Sequence, residues 1–525
     1  MHARHVALLA ALCLAPVAFA ATRGGTRKAS AATSSASAPA RSRGCVDCHS
    51  STNPGIVEQW HDSGHARKGV GCLDCHQASK GDADAFEHGG ELVATVVTPR
   101  DCGRCHRQEA EEFGRSHHAK AGNILASLDN GLAETVEGAR LPFAPHGTAA
   151  GRGMDPQVNG MASAQAGCQQ CHGNKTALKA KSGAPITVDD LKPGPDGRPT
   201  QPGVLDRILR DGEGKPVFVE ATWPNAGIGR INLDGSLGSC SACHSRHDFS
   251  RRRARQPENC GTCHLGPDHP QKEIYEESKH GIAYRDARDR MNLDGKSWVL
   301  GKDYSAAPTC ATCHMSANVN GGKVTHDPGE RLSWTNRPPV SQPMDTDAEH
   351  RVVTETDPAK RKAAVVDTAL QKRERMKEVC TTCHASSTVD AAYKQYDDLV
   401  VLYDEKFAKP GQALMKALYD QGLLTKAPFD EQIEWDWFEL HHHQGRRARH
   451  GAAMMAPDYA HWHGMYEVAQ TFYEKVVPEA REIVAHAAAR GQVAQAKAVQ
   501  AVLDEILARP EHAWYLQERA KEERK

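Results

Sequence analysis

The chain has 525 residues, and its 65 Lys and Arg nearly balance its 66 Asp and Glu, for a formal net charge of −1. This balance lacks the basic footprint typical of nucleic-acid-binding proteins. Apolar residues make up 39% of the chain and the mean hydropathy is −0.59, so side chains alone supply a modest core for this length. Beyond the N-terminal segment, no run approaches the roughly 18 consecutive apolar residues of a membrane span.

The N-terminal segment, "MHARHVALLAALCLAPVAFA", has the pattern of an export signal. Arg4 precedes an apolar run at residues 6–17, and the segment ends in A-F-A. We expect residues 1–20 to be removed after export, which predicts a soluble periplasmic protein. Residues 21–43, rich in Ala, Ser, Thr and Arg, are expected to form a disordered leader.

The cysteines are organised as eight copies of C-x-x-C-H, which hold 16 of the 17. In such a motif two thiols bond to the vinyl groups of one haem and the histidine binds its iron. A zinc site is the alternative for a lone CxxC, but zinc sites usually pair two CxxC units and need no histidine after each. A disulfide framework does not need it either. The sequence therefore predicts eight c-type haems, attached through Cys45/Cys48/His49, Cys72/Cys75/His76, Cys102/Cys105/His106, Cys168/Cys171/His172, Cys240/Cys243/His244, Cys260/Cys263/His264, Cys310/Cys313/His314 and Cys380/Cys383/His384.

Motif spacing divides the chain into regions. The motifs occupy residues 44–384 without a linker, so we expect one octahaem catalytic and electron-transfer domain whose core is packed by haem. The insert between the fourth and fifth motifs contains "KPVFVEATW" and predicts one small sheet. Residues 385–525 show helical periodicity and predict a bundle of long helices that carries ligand and crosslink candidates. The expected fold is a mainly α multihaem cytochrome c with little β structure.

An electron-carrying haem takes a second histidine, whereas a catalytic haem keeps one iron position open. Beyond the motif histidines and the two in the signal segment, 19 histidines remain, enough for seven second ligands. Any one of them could instead lie on the surface or contact a propionate. The candidates by local setting are His65, His88, His118, His247, His280, His326 and, from the C-terminal "HWHG", His463.

The loop after the sixth motif, "CHLGPDHP", places Asp268 beside His269 between two prolines. A histidine with an ordinary pKa near 6.5 can accept a proton at working pH, and an adjacent carboxylate can orient its ring. Proline restricts the backbone on both sides. The alternative is that Asp268 caps a turn and His269 ligates a haem.

Four segments carry a resemblance to a known family: "SRHDFS" after the fifth motif, the stretch "CHLGPDHPQKEIYEESKHG", "RLSWTNRPPVS" at 331–341 and "PDYAHWHGMYEV" at 457–468. With eight motifs, they resemble the octahaem hydroxylamine oxidoreductases, which include hydrazine dehydrogenases. The resemblance implies that the haem on Cys168, Cys171 and His172 is five-coordinate and catalytic, and that Asp268 and His269 line its pocket. In oxidative members a neighbouring subunit's tyrosine bonds to that haem and ties a homotrimer together; here Tyr459 is the first candidate and Tyr466 the second.

The expected activity is oxidation of hydroxylamine to nitric oxide or nitrite, with electrons leaving to a c-type cytochrome or a quinone-linked acceptor. Hydrazine oxidation, or reduction of nitrite or hydroxylamine to ammonia, is the alternative within the same enzyme class. A second class also stays open. If all eight irons have two histidine ligands, the protein is an electron conduit without a catalytic site.

Overall fold

The computed structural model describes residues 38–126, 162–192, 203–267, 269–427 and 429–522. The signal segment and most of the predicted leader therefore lie outside the described residues. The chain is mainly helical, which confirms the expected fold class. In the motif region the helices are short: Arg43–Thr52, Pro54–Asp62, Cys72–His76, Pro99–Gly103, Arg107–Arg115, Ala162–Ala166, Cys168–His172, Val188–Leu191, Arg251–Arg255, Pro257–Cys260, Gln271–Glu277, Lys279–Ala287, Cys310–His314, Pro358–Ala364 and Ala369–Cys380.

The ordered chain begins before residue 44, where the leader was expected to end. Residues Ala40–Ser42 form one turn of 3-10 helix, and Ser42 is buried. The Ser42 hydroxyl accepts a hydrogen bond from the backbone N–H of Leu73, in the first turn of the Cys72–His76 helix. Satisfying an otherwise unpaired N–H at a helix start is stabilising, so this end of the predicted leader belongs to the folded structure.

Long helices make up the C-terminal region, as the periodicity predicts. α-Helices Ser386–Tyr403 and Lys409–Asp420 are joined by a π-helical segment, Asp404–Ala408, and further π segments lie at Glu439–Gln444, His461–Tyr466 and Phe472–Val476. These segments join the α-helices into runs at 386–420, 432–453 and 457–489. The other α-helices are Gln432–Phe438, Gly445–Ala453, Pro457–Ala460, Glu467–Thr471, Val477–Ala489, Val493–Leu507 and Ala513–Glu522.

The core of this bundle comes from apolar residues spaced three or four apart. Leu414 and Leu418 on one helix, and Val499 and Leu503 on another, are fully buried. Phe472, within a π segment, is buried among them. Side chains at this spacing form one face of a helix, and burying that face is the main source of helix stability in a folded protein.

A buried histidine in the same core makes the bundle sensitive to pH. The ring of His512 stacks on Phe472, its Nδ1 lies 2.7 Å from the hydroxyl of Tyr473, and its Nε2 has no partner among the described residues. Burial lowers the pKa of His512, although Glu511 opposes the shift and Lys406 and Arg509 add to it. The folded state therefore holds this ring neutral.

Because the unfolded chain takes up the proton first, we expect stability to fall as pH drops below about 6.5, by up to about 1.4 kcal/mol per pH unit from this group. Urea unfolding followed by far-ultraviolet circular dichroism at several pH values measures the slope. His512→Gln should flatten it, whereas the same change at exposed His486 should leave it as in the wild type. An unchanged slope in His512→Gln would contradict the assignment.

Among the described residues, the strands form three short antiparallel pairs: Ala85–His88 with Glu91–Ala94, Leu178–Lys179 with Pro185–Ile186, and Trp334–Thr335 with Gln342–Pro343. The first pair turns at Gly89 and Gly90, whose φ values of 60° and 83° suit a two-residue hairpin. In the insert, the predicted strand at 215–223 contributes isolated bridges, such as Leu178 with Phe218, instead of a continuous strand. A small apolar cluster around Ile208 packs this region.

No helix in the described ranges combines the length and apolar character required to cross a bilayer.

Candidate functional site

Short helical turns present the motif side chains. Cys72–His76, Cys168–His172 and Cys310–His314 are each a five-residue helix that coincides with its motif. In a helix, residues at i, i+3 and i+4 share one face, so the two cysteines and the histidine point to the same side. Thr309 caps the third of these helices by accepting from the N–H of Thr312. No disulfide joins the motif cysteines in the described chain.

Five motif histidines face a second imidazole from a distant part of the chain. A metal–imidazole bond is about 2 Å long, so two imidazoles on opposite sides of one metal have ring centroids about 6 Å apart. Both ring planes then contain the ligand axis, and any angle between them is allowed. The pairs and their centroid distances are His49 with His88 at 6.0 Å, His106 with His65 at 6.2 Å, His76 with His247 at 6.4 Å, His264 with His118 at 5.8 Å and His384 with His280 at 6.0 Å.

The other two predicted second ligands have different surroundings. His326 lies within electrostatic range of the fifth-motif His244, and its Nδ1 is 3.7 Å from a carboxylate oxygen of Glu112. The exposed His463 is bonded to Glu467 at 2.9 Å and lies 3.5 Å from Asp458. Among the described ring contacts, the structure does not bring His463 to a motif histidine.

Hydrogen bonds fix the tautomer of several motif histidines. Nδ1 of His49 bonds to Oδ1 of Asn53 at 3.0 Å, and Nδ1 of His314 to the carbonyl of Pro328 at 3.2 Å. Nδ1 of His264 bonds to Oε1 of Gln271 at 3.2 Å. These oxygens only accept, so Nδ1 carries the proton and Nε2 keeps its lone pair for a metal. The residues therefore fit haem iron.

Burial of the histidine rings also favours the neutral form that can bind a metal. It lowers the pKa of His118 to about 3 and that of His244 to about 4, with neighbouring imidazoles adding to the shift. Neutral imidazole is the form that binds a metal. Burial also lowers the pKa of His65, His76, His247, His264, His280 and His314.

Contacts between cysteines of different motifs give the order in which the motifs are packed. The fourth motif meets the sixth, because Cys171 and Cys263 share a hydrogen bond, and it does so out of sequence order. Hydrogen bonds between cysteines also connect the first motif to the second, the third to the fifth and the sixth to the seventh, through Cys45/Cys72, Cys102/Cys240 and Cys260/Cys310. The second and third, fifth and sixth, and seventh and eighth motifs lie within electrostatic range of each other, through Cys75/Cys102, Cys243/Cys260 and Cys313/Cys380. The eight motifs thus form one connected series, with the fourth as a branch on the sixth.

Three motif cysteines are exposed in the described chain. They are Cys48, Cys105 and Cys383, the second cysteines of the first, third and eighth motifs, whereas the other thirteen are partly covered. The first and eighth motifs are the two ends of the series, so Cys48 and Cys383 have neighbouring motifs on one side only. In the third motif Cys102 makes both contacts with other motifs, and Cys105 is directed outward.

The local structure also contributes to the exposure of these three thiols. The helices that contain or follow two of them, Arg43–Thr52 and Arg107–Arg115, have no buried side chains. An exposed thiol can still bond to a vinyl group at the edge of a haem. The assignment of Cys48, Cys105 and Cys383 as attachment residues therefore stays a prediction, at sites that lie on the protein surface.

His269 lies opposite the fourth motif. Its ring centroid is 6.4 Å from that of His172 and 6.2 Å from that of His264. Its Nδ1 donates a hydrogen bond of 2.8 Å to the carbonyl of Leu265, so Nδ1 carries the ring proton and Nε2 is the ring atom with the lone pair. Nε2 can then accept a proton or bind a metal. Asp268 lies outside the described residues.

The loop that carries His269 is tied down at both ends. Gly266 has a φ of 86°, a conformation that favours glycine, and its N–H donates to the carboxylate of Glu273. The N–H of Lys272 donates to the carbonyl of His264, and that of Gln271 to the carbonyl of His269. These bonds restrict the position of the His269 ring.

Closely packed glycines fix the fourth motif from behind, a feature that the sequence analysis missed. A Cβ on Gly173 would come within 2.4 Å of the backbone N of Arg230, and one on Gly227 within 2.0 Å of the backbone N of Gly173. The backbone of the 227–229 segment donates to the carbonyls of Cys171 and His172. Several glycines clustered near a motif were the available sequence signal.

Tyr459 lies on the short helix Pro457–Ala460 and is partly buried. Its ring is 5.7 Å from that of His463. Burial raises the pKa of Tyr459, and the carboxylates of Glu277 and Glu273 raise it further. Tyr466, the second candidate, is 51% exposed on the following π segment. Tyr459 thus lies beside the helix that follows the His269 loop.

Three family models of cytochromes match parts of the chain. The description "seven times multi-haem cytochrome CxxCH" applies to residues 234–429, "cytochrome c7 and related cytochrome c" to 28–107, and "cytochrome c554 and c-prime" to 101–173. Together these matches include all eight motifs.

A curated relative and two solved structures are also similar. A probable nitrite reductase–hydroxylamine oxidoreductase fusion protein of Kuenenia stuttgartiensis is 26% identical over 356 residues, which are 65% of this chain and 34% of the relative. The matched part is therefore about a third of that relative's length. A hypothetical multihaem protein shares the fold with a TM-score of 0.65 and 24% identity over 87% of this chain and 97% of its own. A reducing HAO-like protein complex of K. stuttgartiensis, where HAO denotes hydroxylamine oxidoreductase, has a TM-score of 0.55 and 19% sequence identity. The match covers 86% of this chain and 87% of that one.

The motif helices, the facing imidazoles and these matches define a multihaem cytochrome c. Within that class, a curated relative and a solved structure support a relation to hydroxylamine oxidoreductase-like proteins, the family that the four sequence segments resemble.

Proposed function

We propose that this protein is a periplasmic octahaem oxidoreductase that oxidises hydroxylamine to nitric oxide or nitrite at the haem held by Cys168, Cys171 and His172. The observation that carries the proposal is the position of the His269 ring: its centroid lies 6.4 Å from that of His172, a gap of haem size, and its Nδ1 is bonded to the carbonyl of Leu265. When bound, haem supplies an iron that binds the substrate nitrogen and accepts its electrons. The names of both Kuenenia proteins support nitrogen chemistry.

The protein residues have two tasks in this proposal. His269 Nε2 accepts protons released as the substrate is oxidised, while its Nδ1 bond to Leu265 holds the ring in one orientation. Asp268, its neighbour in sequence, is proposed to favour the charged ring. The tied loop keeps the base at a fixed distance from the fourth motif, which is the requirement for efficient proton transfer.

The second task is to lead electrons away. The contact between Cys171 and Cys263 makes the sixth motif the neighbour that receives electrons from the fourth. From there the series of contacts leads toward the eighth motif in one direction and the first in the other. His65, His88, His118, His247, His280 and His326 are proposed as second ligands of these carriers. A c-type cytochrome or a quinone-linked protein is the proposed acceptor.

Reduction of nitrite or hydroxylamine to ammonia is the second candidate, because the printed name of one structural neighbour describes a reducing complex. An electron conduit without a catalytic site is the third candidate. The spacing of His172 and His269 equals that of His76 and His247, so His269 can serve as an axial ligand with no change of position.

Electron paramagnetic resonance of the oxidised wild type tests the site. We expect a high-spin haem that binds cyanide or nitric oxide beside the low-spin haems, together with hydroxylamine-dependent reduction of a c-type cytochrome. Assays with reduced viologen and nitrite measure the opposite direction. A spectrum with low-spin haem alone and no ligand binding would exclude the catalytic site and leave the conduit.

A further inference from the structure

A chain of hydrogen bonds leads from the sixth motif into the C-terminal helices. Nδ1 of His264 bonds to Oε1 of Gln271 at 3.2 Å, and Nε2 of Gln271 bonds to Nδ1 of His450 at 3.2 Å. Gln271 is the first residue of the Gln271–Glu277 helix and follows Pro270 directly. Its backbone is fixed by the bond to the carbonyl of His269. One side chain therefore joins the motif histidine to a histidine that lies 179 residues after Gln271.

The chemistry of the three groups fixes the direction of both bonds. His264 Nδ1 faces an amide oxygen, which only accepts, so Nδ1 carries the proton and donates, and Nε2 is the atom that would hold the haem iron. The amide oxygen of Gln271 accepts it, which turns the amide NH₂ toward His450. His450 Nδ1 must then accept, so His450 holds Gln271 in the orientation that His264 requires. A free glutamine could rotate its amide; this one has a single productive orientation.

We propose that Gln271 is a positioning residue that sets the reduction potential of the sixth-motif haem, with His450 locking its amide. An acceptor at Nδ1 makes the imidazole a stronger donor to iron and favours the oxidised state. The importance of this haem rests on the proposed function, because it is the neighbour to which the fourth motif passes electrons. The potential itself does not depend on any substrate.

The other motifs supply a contrast. His76 and His314 bond to the backbone carbonyls of Ala94 and Pro328, which no substitution removes. His49 also bonds to a side-chain amide, that of Asn53, at the exposed end of its own helix. Among the described hydrogen bonds, no second histidine orients the Asn53 amide as His450 orients that of Gln271. Among the described bonds, only the sixth motif has an amide that a second histidine orients.

The test is spectroelectrochemical titration of the holoprotein with two variants of opposite effect. Gln271→Leu removes the acceptor and should raise the midpoint of one low-spin haem by about tenfold in its reduction equilibrium, about 59 mV for one electron. Gln271→Glu supplies a charged acceptor and should lower the same midpoint. His118→Met identifies that haem, because replacing its second imidazole by a thioether alters its spectrum and raises its potential.

The matched control is Gln500→Leu, at a surface glutamine that bonds to Asp504 away from the motifs; all eight midpoints should equal those of the wild type. The role of Gln271 is established if Gln271→Leu and Gln271→Glu shift the midpoint potential of the haem identified by His118→Met in opposite directions. Unchanged midpoints in both variants, or shifts of equal sign, overturn it. If the wild type lacks turnover and an open site while the opposite shifts remain, the proposed function fails and the assignment of Gln271 stands.

Discussion

Replacing His269 by alanine is expected to reduce hydroxylamine turnover by about 10²–10⁴-fold while all eight haems stay attached. The His269 ring faces the fourth motif, and the methyl group of alanine has no nitrogen to accept the substrate's protons. The loop keeps its shape, because the bonds from Gly266 to Glu273 and from Lys272 to His264 do not involve the His269 ring. Steady-state assays of cytochrome reduction and intact-protein mass spectrometry measure turnover and haem content on the same sample.

The spin state of the haems in His269→Ala shows whether His269 acts as a catalytic base or as an iron ligand. If His269 is a base, the wild type already contains the high-spin haem and the variant keeps it. If His269 is a ligand, a new high-spin signal and new nitric oxide binding arise only in the variant, which would contradict the proposal. His486→Ala, at an exposed histidine of the C-terminal helices, controls for loss of an imidazole and should show normal turnover. Asp268→Asn should reduce turnover in the same way.

The attachment sites could be predicted from sequence because each is local. Five residues within one helical turn contain the two thiols and the imidazole, and the structure forms these turns at the motifs. The long C-terminal helices were equally accessible, since their periodicity persists over many turns. The insert was only partly predicted. Its β-prone segment at 215–223 forms isolated bridges, because the neighbouring strands are too short to continue the pairing.

The exposure of individual attachment sites could not be predicted, because it depends on how the motifs pack. The eight motifs share one C-x-x-C-H pattern, yet Cys48, Cys105 and Cys383 are exposed and the other motif cysteines are partly covered. What distinguishes them is the number and direction of the neighbouring motifs. That information lies in the three-dimensional series of contacts and not in the spacing along the chain.

Pairings between distant residues could not be predicted. The sequence marks His118 and His247 as ligand candidates by their local setting, but it contains no information that brings them to His264 and His76. His463 shows the weakness of local setting alone, since the structure surrounds it with carboxylates. Gln271 had no motif at all. The proposed role of Gln271 depends on its hydrogen bond to His450, which is distant in sequence and is brought beside it by the fold.

The prediction with the clearest all-or-none outcome concerns Tyr459. Ordinary subunit contacts dissolve in detergent, whereas a tyrosine–porphyrin bond between chains does not. We expect a haem-staining band at trimer mass on a denaturing gel of the wild type, and its complete loss in Tyr459→Phe. Peptide mass spectrometry should find the Tyr459 peptide attached to the haem of Cys168 and Cys171. Tyr459 is partly buried beside Glu277, so its hydroxyl, and not its packing, is what the substitution removes.

Tyr466→Phe is the matched control, because this tyrosine lies on the adjoining π segment, is more exposed and packs against Trp462. It should keep the trimer band. Loss of the band in Tyr466→Phe alone would transfer the crosslink to that residue. A monomer band from the wild type would remove the crosslink, and with it the argument for the oxidative direction, since the resemblance associates that bond with oxidation and its absence with the reductive branch. Nitrite and hydroxylamine reduction would then be the activities that the fourth motif and His269 serve.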